Sequence, residues 1–330
     1  MTDVGLIVLG TGSIGSTLLK TLEGNPIFAN KSWKILAKAD SKYITLMEKG
    51  STRSSTELSA VLFDLRGSMD KIIIIDCTAS DLIPLSYVTW LENGFYVVTA
   101  NKKGLAASQN LFNAVTKFHF TFAWESTVGA GLPIIRVLRN FMDTGDIVRR
   151  VEALLSGTLA FIFNSFMPLA GNGVSFNEAI DQARSNGYTE PDPCEDLSGT
   201  DVARKLIILA RMLGLKLEDN STIARSLLSD NEPKENRINE LCSRMERAKQ
   251  IASGHNTFLR FVANIYPADG VVEAKLEELR ESSPLIAAQG CDNIVCFYTE
   301  RYPNGFVLKG AGAGADSTVH GLLSDLCSFQ

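Results

Sequence analysis

Apolar and polar residues alternate along the first third of the chain so as to predict strands and helices in turn. Leu6–Leu9 is a short apolar run that stops at Gly10, and Ile14–Leu22 then repeats apolar residues at helical spacing. Trp33–Ala39 reads as a second strand. Lys71–Cys77 holds four consecutive isoleucines, the β-branched run expected of a strand buried on both faces. Leu82–Asn93 reads as a helix ended by Gly94, Phe95–Ala100 as a strand, Leu105–Lys117 as a helix and His119–Trp124 as a strand. Such alternation implies βαβ units and a parallel sheet.

The pattern changes near Asp143–Asp146. Ile147–Leu155 reads as a longer strand, followed by helical stretches at Leu159–Leu169, Ser175–Ser185 and Asp196–Leu213. Ser221–Arg225 begins a more polar segment, with strands expected at Phe258–Ile265, Val271–Leu279 and Asn293–Thr299. Strands and helices in separate runs predict a second, α+β domain. Gly310–Gly314 then introduces a helical tail, Ser317–Leu326. The fold class is therefore α/β, in two closely joined domains, without internal repeats.

Composition narrows the possibilities. The chain has 330 residues, 45% apolar and 21% charged, which is ordinary globular usage. Lys+Arg 32 against Asp+Glu 37 gives a net charge of −5 with no basic block, so nucleic acid is not the expected partner. Apolar runs such as Ile72–Ile75 fall far short of the roughly 18–20 residues of a membrane span. Asp3 and the absence of a basic n-region argue against a signal peptide. Six scattered cysteines without a CxxC pair fit reduced thiols in a cytoplasm. His119, His255 and His320 lie far apart with no zinc- or iron-ligand spacing.

The first candidate chemistry follows the first strand. In Gly10-Thr11-Gly12-Ser13-Ile14-Gly15, Gly10 permits a tight turn, Gly12 lets backbone approach a pyrophosphate, and Gly15 lets helix and strand pack closely. Phosphates at this turn meet unpaired N–H groups and the positive end of the helix. The second strand ends in Asp40-Ser41-Lys42. Asp40 suits the ribose hydroxyls of NAD, whereas Ser41 and Lys42 suit the 2′-phosphate of NADP, and both choices stay open.

A second group of residues lies further along. Asn101-Lys102-Lys103 follows a strand end, where ligands of parallel sheets bind. Gly187-Tyr-Thr-Glu190-Pro-Asp-Pro stiffens an acidic loop before a helix that carries Asp201 and Lys205 on one face. That helix continues as Leu206-Ile-Ile-Leu-Ala210, so the pair is expected at a largely buried end. Buried amines and carboxylates are costly unless paired and are often functional.

On these segments the chain resembles the homoserine dehydrogenases. Gly10–Gly15, Asp76–Ser80, Thr99–Lys103, Trp124–Pro133, Leu155–Leu159, Gly187–Lys205 and Gly310–Gly314 match the family in order and cover nearly the whole sequence. The resemblance implies a Rossmann domain over residues 1–145, to which 305–330 return, and an α+β catalytic and dimerisation domain over 146–304. It implies reversible, NAD- or NADP-dependent interconversion of L-homoserine and L-aspartate 4-semialdehyde, towards threonine and methionine, by a cytoplasmic homodimer. Lys205 matches the proposed acid/base and Lys102 a second active-site lysine, while the four-residue spacing makes Asp201 the partner of Lys205. Glu190, Asp201 and Thr158 match the substrate pocket. The nucleotide residues are Gly10 to Gly15, Asp40, Ser41, Lys42, Thr78, Ala79, Lys102 and Gly314. Glu125, with the carbonyls of Val128, Ala130 and Leu132, matches a structural monovalent-cation site, usually sodium.

Cys194-Glu195 departs from the family's common Arg-Asp, which puts a substrate role for Glu195 in doubt. At this length the chain leaves no room for the appended regulatory domain of the ACT type or for a fused kinase. Two rivals stand beside the main reading. A semialdehyde dehydrogenase needs a nucleophilic cysteine, for which Cys77 is the only strand-end candidate. A non-catalytic nicotinamide-nucleotide sensor on the same fold would have no use for the two lysines and two carboxylates.

Overall fold

The computed structural model describes residues 3–29, 31–48, 50–217, 223–229, 231–233 and 236–329. Two units divide the chain: 1–131 with 314–330, and 132–313. The sequence reading draws these lines at 145/146 and 304/305. A helix at Ile134–Asp143 and a strand at Phe306–Ala311 account for the difference.

The first unit runs β1 (Val4–Leu9), α1 (Ser13–Gly24), α2 (Pro26–Ala29), β2 (Trp33–Ala39), β3 (Tyr43–Leu46) and β4 (Ser51–Ser54). It continues with α3 (Leu58–Leu65), β5 (Lys71–Asp76), α4 (Tyr87–Glu92), β6 (Tyr96–Thr99), α5 (Lys102–Ala107), α6 (Gln109–Thr116) and β7 (Phe122–Ala123). The sheet order is β4-β3-β2-β1-β5-β6-β7. The five strands from β2 to β7 in that order are parallel, as the alternation predicts. β3 and β4 are antiparallel additions, unforeseen in the sequence. β3 arises because Asp40 turns the chain: its Oδ1 accepts from the N–H groups of Lys42 (2.7 Å) and Tyr43 (2.8 Å). This side-chain turn sends the chain straight back along β2.

The second unit contains α7 (Ile134–Asp143), β8 (Val148–Leu154), α8 (Gly157–Phe166), α9 (Phe176–Ser185), α10 (Pro193–Leu197) and α11 (Thr200–Met212). Then come α12 (Arg237–Gly254), β9 (Thr257–Tyr266), β10 (Val271–Arg280), β11 (Asp292–Thr299) and β12 (Phe306–Ala311). The last helix, α13 (Ala315–Ser328), belongs to the first unit. Leu322 and Leu326 of α13 pack with Leu6, Val8, Leu18, Ile73 and Val98 in one buried cluster. The second sheet is antiparallel, in the order β10-β9-β8-β11-β12. Of the expected polar segment at Ser221–Arg225, residues 221–222 lie outside the described residues.

Three elements depart from the sequence pattern for local reasons. The helix expected at Leu105–Lys117 is broken at Ser108, whose hydroxyl accepts from the N–H of Leu111 and restarts α6. The helix expected at Asp196–Leu213 is two, because Gly199 sits at φ +72° between α10 and α11. His119–Trp124 contributes only the two residues of β7, since the chain from Phe118 to Thr121 closes a turn. Arg260 of β9, 1% exposed, donates to the carbonyls of Phe163 and Met167 and so caps the last turn of α8. Burial of that guanidinium pushes its pKa down to about 10. No helix among the described residues is long and apolar enough to cross a membrane.

Candidate active site

The candidate nucleotide site of the first unit is built at the carboxyl end of its sheet. Gly10 takes φ +87°, which only glycine adopts cheaply. A Cβ on Gly15 would lie 1.8 Å from the Gly10 carbonyl oxygen, so α1 can sit this close to the turn only without one. A Cβ on Gly12 would meet nothing, and space therefore remains above the turn where a pyrophosphate fits. Thr11, Ser13 and Ile14 complete the turn into α1. Asp40, Ser41 and Lys42 are exposed at the end of β2. The backbone N–H groups of Lys42 and Tyr43 hold the Asp40 carboxyl below its usual pKa.

Next to β1, the end of β5 carries a buried polar hub that the sequence reading passed over. Asp76 is fully buried and accepts from Thr78 N (2.7 Å), Tyr87 OH (2.5 Å) and Asn101 Nδ2 (3.2 Å). Burial pushes its carboxyl up, and these hydrogen bonds pull it back. Asp76 thus fixes the turn that contains Thr78 and Ala79. It also holds Asn101, whose side chain accepts from Lys103 N as the N-cap of α5. Lys102 is the first residue of that helix, and Lys103 pairs with Asp81 at 3.0 Å. Gly314 is the N-cap of α13 at φ +102°. Cys77 follows Asp76, and burial together with the Asp76 charge pushes its thiol far up. Such a thiol is the reverse of an activated nucleophile, which counts against the semialdehyde dehydrogenase reading.

The second unit gathers Thr158, Glu190, Asp201 and Lys205 around one helix end. Lys205 Nζ donates to Asp201 Oδ2 at 2.9 Å and to the Leu155 carbonyl at 2.6 Å. Its side chain is 8% exposed against 48% for Asp201, so the ammonium is buried and its partner reaches outward. The i,i+4 spacing on α11 and the end of β8 deliver both acceptors. Ser156 caps α8 by accepting from Leu159 N, which places Thr158 in the first turn.

Asp196 is the residue that sequence reasoning missed here. Its Oδ2 accepts from Glu190 N (2.9 Å), and its Oδ1 lies 3.0 Å from Thr158 Oγ1, which also donates to Tyr188 O at 2.6 Å. Burial pushes the Asp196 carboxyl up, Asp201 adds to the rise, and its hydrogen bonds oppose it. The doubtful neighbour Glu195 is exposed on α10. The signal for Asp196 was its place on a short helix whose N-cap, Asp192, accepts from Cys194 N. Among the described residues no cluster of three His, Cys, Asp or Glu side chains could hold a metal.

One substitution tests the glycine turn. In Gly15→Ala the added Cβ must push α1 away from Gly10, at a cost of ~1–3 kcal/mol by overpacking. A lowered melting temperature, together with a nucleotide Kd at least about tenfold weaker, is the expected result. Unchanged binding measured by fluorescence titration would refute the assignment.

Residues 10–123 match the family model of the homoserine dehydrogenase NAD binding domain. Residues 133–327 match the model of homoserine dehydrogenase itself. The homoserine dehydrogenase of Saccharomyces cerevisiae is 34% identical, across 98% of this chain and 97% of its own. Among solved structures, a Candida auris protein of unknown function superposes with a TM-score of 0.90 at 29% identity, covering 100% of this chain and 98% of that one. A hyperthermophilic archaeal homoserine dehydrogenase in complex with NADPH shares the fold, with a TM-score of 0.70 at 23% identity over 98% of this chain and 96% of that one. Two family models covering most of the sequence and a full-length relative at this identity lead to one conclusion: the chain belongs to the homoserine dehydrogenase family.

Proposed function

We propose that the chain interconverts L-homoserine and L-aspartate 4-semialdehyde with NAD(P), and that Lys205 moves the proton. The observation that carries this reading is the buried ammonium of Lys205, held by Asp201 and the Leu155 carbonyl. The nicotinamide, when bound, gives or takes the hydride. In the direction of reduction, Lys205 Nζ donates a proton to the carbonyl oxygen as it becomes an alkoxide. In oxidation the neutral amine takes the hydroxyl proton. Asp201 keeps the ammonium oriented, and Lys102 adds positive charge on the nucleotide side. Glu190, Asp196 and Asp201 suit the substrate ammonium, with Thr158 ordering the loop at Tyr188 and Asp196. The nucleotide is assigned to Gly10–Gly15, Thr78, Ala79, Lys102 and Gly314.

A structural sodium ion is assigned to Glu125 and the carbonyls of Val128, Ala130 and Leu132. Support comes from the loop of the first unit: Glu125 and Val128 are buried, and Gly129 and Ala130 both take positive φ. Among the described residues, the Val128 and Ala130 carbonyls accept no backbone hydrogen bond, and buried acceptors of this kind suit a hard cation. A melting temperature that rises more with NaCl than with choline chloride is expected, and equal effects would count against the ion. The enzyme is further proposed to be a cytoplasmic homodimer. Light scattering should then give twice the chain mass of 35.9 kDa, and a value at the chain mass would reject the dimer.

Two substitutions test the chemistry. Lys205→Met keeps the length of the side chain and removes the proton-transfer group, so kcat should fall ~10²- to 10⁴-fold while nucleotide affinity holds. A folded Lys205→Met enzyme with near-normal turnover would contradict the role. On the cofactor side, both nucleotides are expected to bind, with Lys42 favouring NADP. Lys42→Ala should weaken NADP by a few-fold to about tenfold and leave NAD unchanged, the scale of an exposed ion pair. Equal NADP affinity in the variant would remove Lys42 from the site.

A further inference from the structure

The Leu155 carbonyl that holds the Lys205 ammonium has a second visitor. Asn293, at the start of β11, is fully buried and directs its Nδ2 to the same oxygen at 3.4 Å. Its neighbour Ile294 pairs with Leu154 across the sheet, and Asn293 itself pairs with Gly310 of β12. The amide is also gripped from behind. A Cβ on Gly312 would stand 2.0 Å from the Asn293 Cγ, so the side chain lies directly on glycine backbone. One constraint therefore links the glycine-rich segment before α13 to the lysine on α11.

Packing does not account for an amide at this position. The Asn293 Oδ1 is buried and has no hydrogen-bond partner among the described residues. An acceptor in that state costs stability, and leucine of nearly the same shape would avoid the cost. Turning the amide over would bring two carbonyl oxygens together at Leu155. The present orientation is the one in which Nδ2 can serve the Leu155 oxygen.

We propose that Asn293 is a positioning residue for Lys205, acting through the Leu155 carbonyl that both side chains share. The proposal rests on the reading of Lys205 as the proton-transfer group. A tetrahedral ammonium with two N–H bonds directed at Asp201 and Leu155 has its remaining direction set. Asn293 fixes the oxygen at one of these two points. Without it the carbonyl can tilt, the ammonium follows, and the proton no longer travels along the line to the substrate oxygen. Loss of alignment of this kind slows the step without altering nucleotide binding.

The test compares wild type, Asn293→Leu and Asn293→Ala, with Lys205→Met as the reference for the underlying reading. Asn293→Leu should melt no lower than wild type and bind NADP+ normally, yet lose kcat about 10- to 100-fold. Its solvent deuterium isotope effect on kcat should rise, because proton transfer becomes the slower step. Asn293→Ala should show the same isotope signature and stands in if the leucine variant does not fold. A folded variant with wild-type kcat and isotope effect overturns the proposal. So does a fall in kcat with an unchanged isotope effect, the mark of a purely structural amide. If Lys205→Met itself turns over normally, the reading of Lys205 fails and the role of Asn293 falls with it. An inactive Lys205→Met beside a normal Asn293→Leu removes Asn293 alone.

Discussion

A buried ammonium must be given acceptors, and much of the second unit is arranged to give Lys205 the Asp201 carboxylate and the Leu155 carbonyl. Desolvating an amine is costly unless charge and hydrogen bonds compensate. Asp201 compensates from one turn earlier on the same helix, and Leu155 from the end of β8. Both acceptors require that strand and helix end where they do. Gly199 at φ +72° lets the chain leave α10 and start α11 with Asp201 in its first turn. Ser156 stops β8 and starts α8 directly after the Leu155 carbonyl. Arg260 fastens the far end of α8, so the helix that presents Thr158 is secured at both ends.

The first unit obeys a different constraint, close approach of backbone to a polyanion. Its glycines answer it by steric absence, at Gly10 through φ and at Gly15 through a contact that no side chain could share. The end of β5 adds an electrostatic constraint. Asp76 is buried among donors and orders both the Thr78 turn and the Asn101 cap from which α5 departs. α13 closes this unit by filling its core with Leu322 and Leu326.

The sequence was most legible where one physical effect acted alone. β5 falls at Lys71–Asp76 because a run of four isoleucines admits little but a buried strand, and β2 at Trp33–Ala39 because its short apolar run is bounded by polar breaks. The Asp201–Lys205 pair was visible because helical spacing sets its geometry. β3 and β4 were not, since Ser51–Ser54 is exposed along its length and β3 owes its pairing with β2 to the turn at Asp40. α12, Arg237–Gly254, was hidden by the many charged residues along it. Asp196 and Asn293 escaped for a shared reason. Asp196 also holds nearby Glu190 N, but the contacts that give each its role, Thr158 for Asp196 and the Leu155 carbonyl for Asn293, lie far along the chain, and a single sequence gives no means of pairing them.

Chemical rescue tests most directly whether Lys205 is the group that moves the proton. Lys205→Ala leaves a cavity of amine length beside Asp201 and the Leu155 carbonyl. Small primary amines added to that variant should restore homoserine-dependent reduction of NADP+, in proportion to their concentration and in an order set by their basicity. Turnover of Lys205→Ala that approaches wild type without amine, and ignores amine when it is added, would contradict the account.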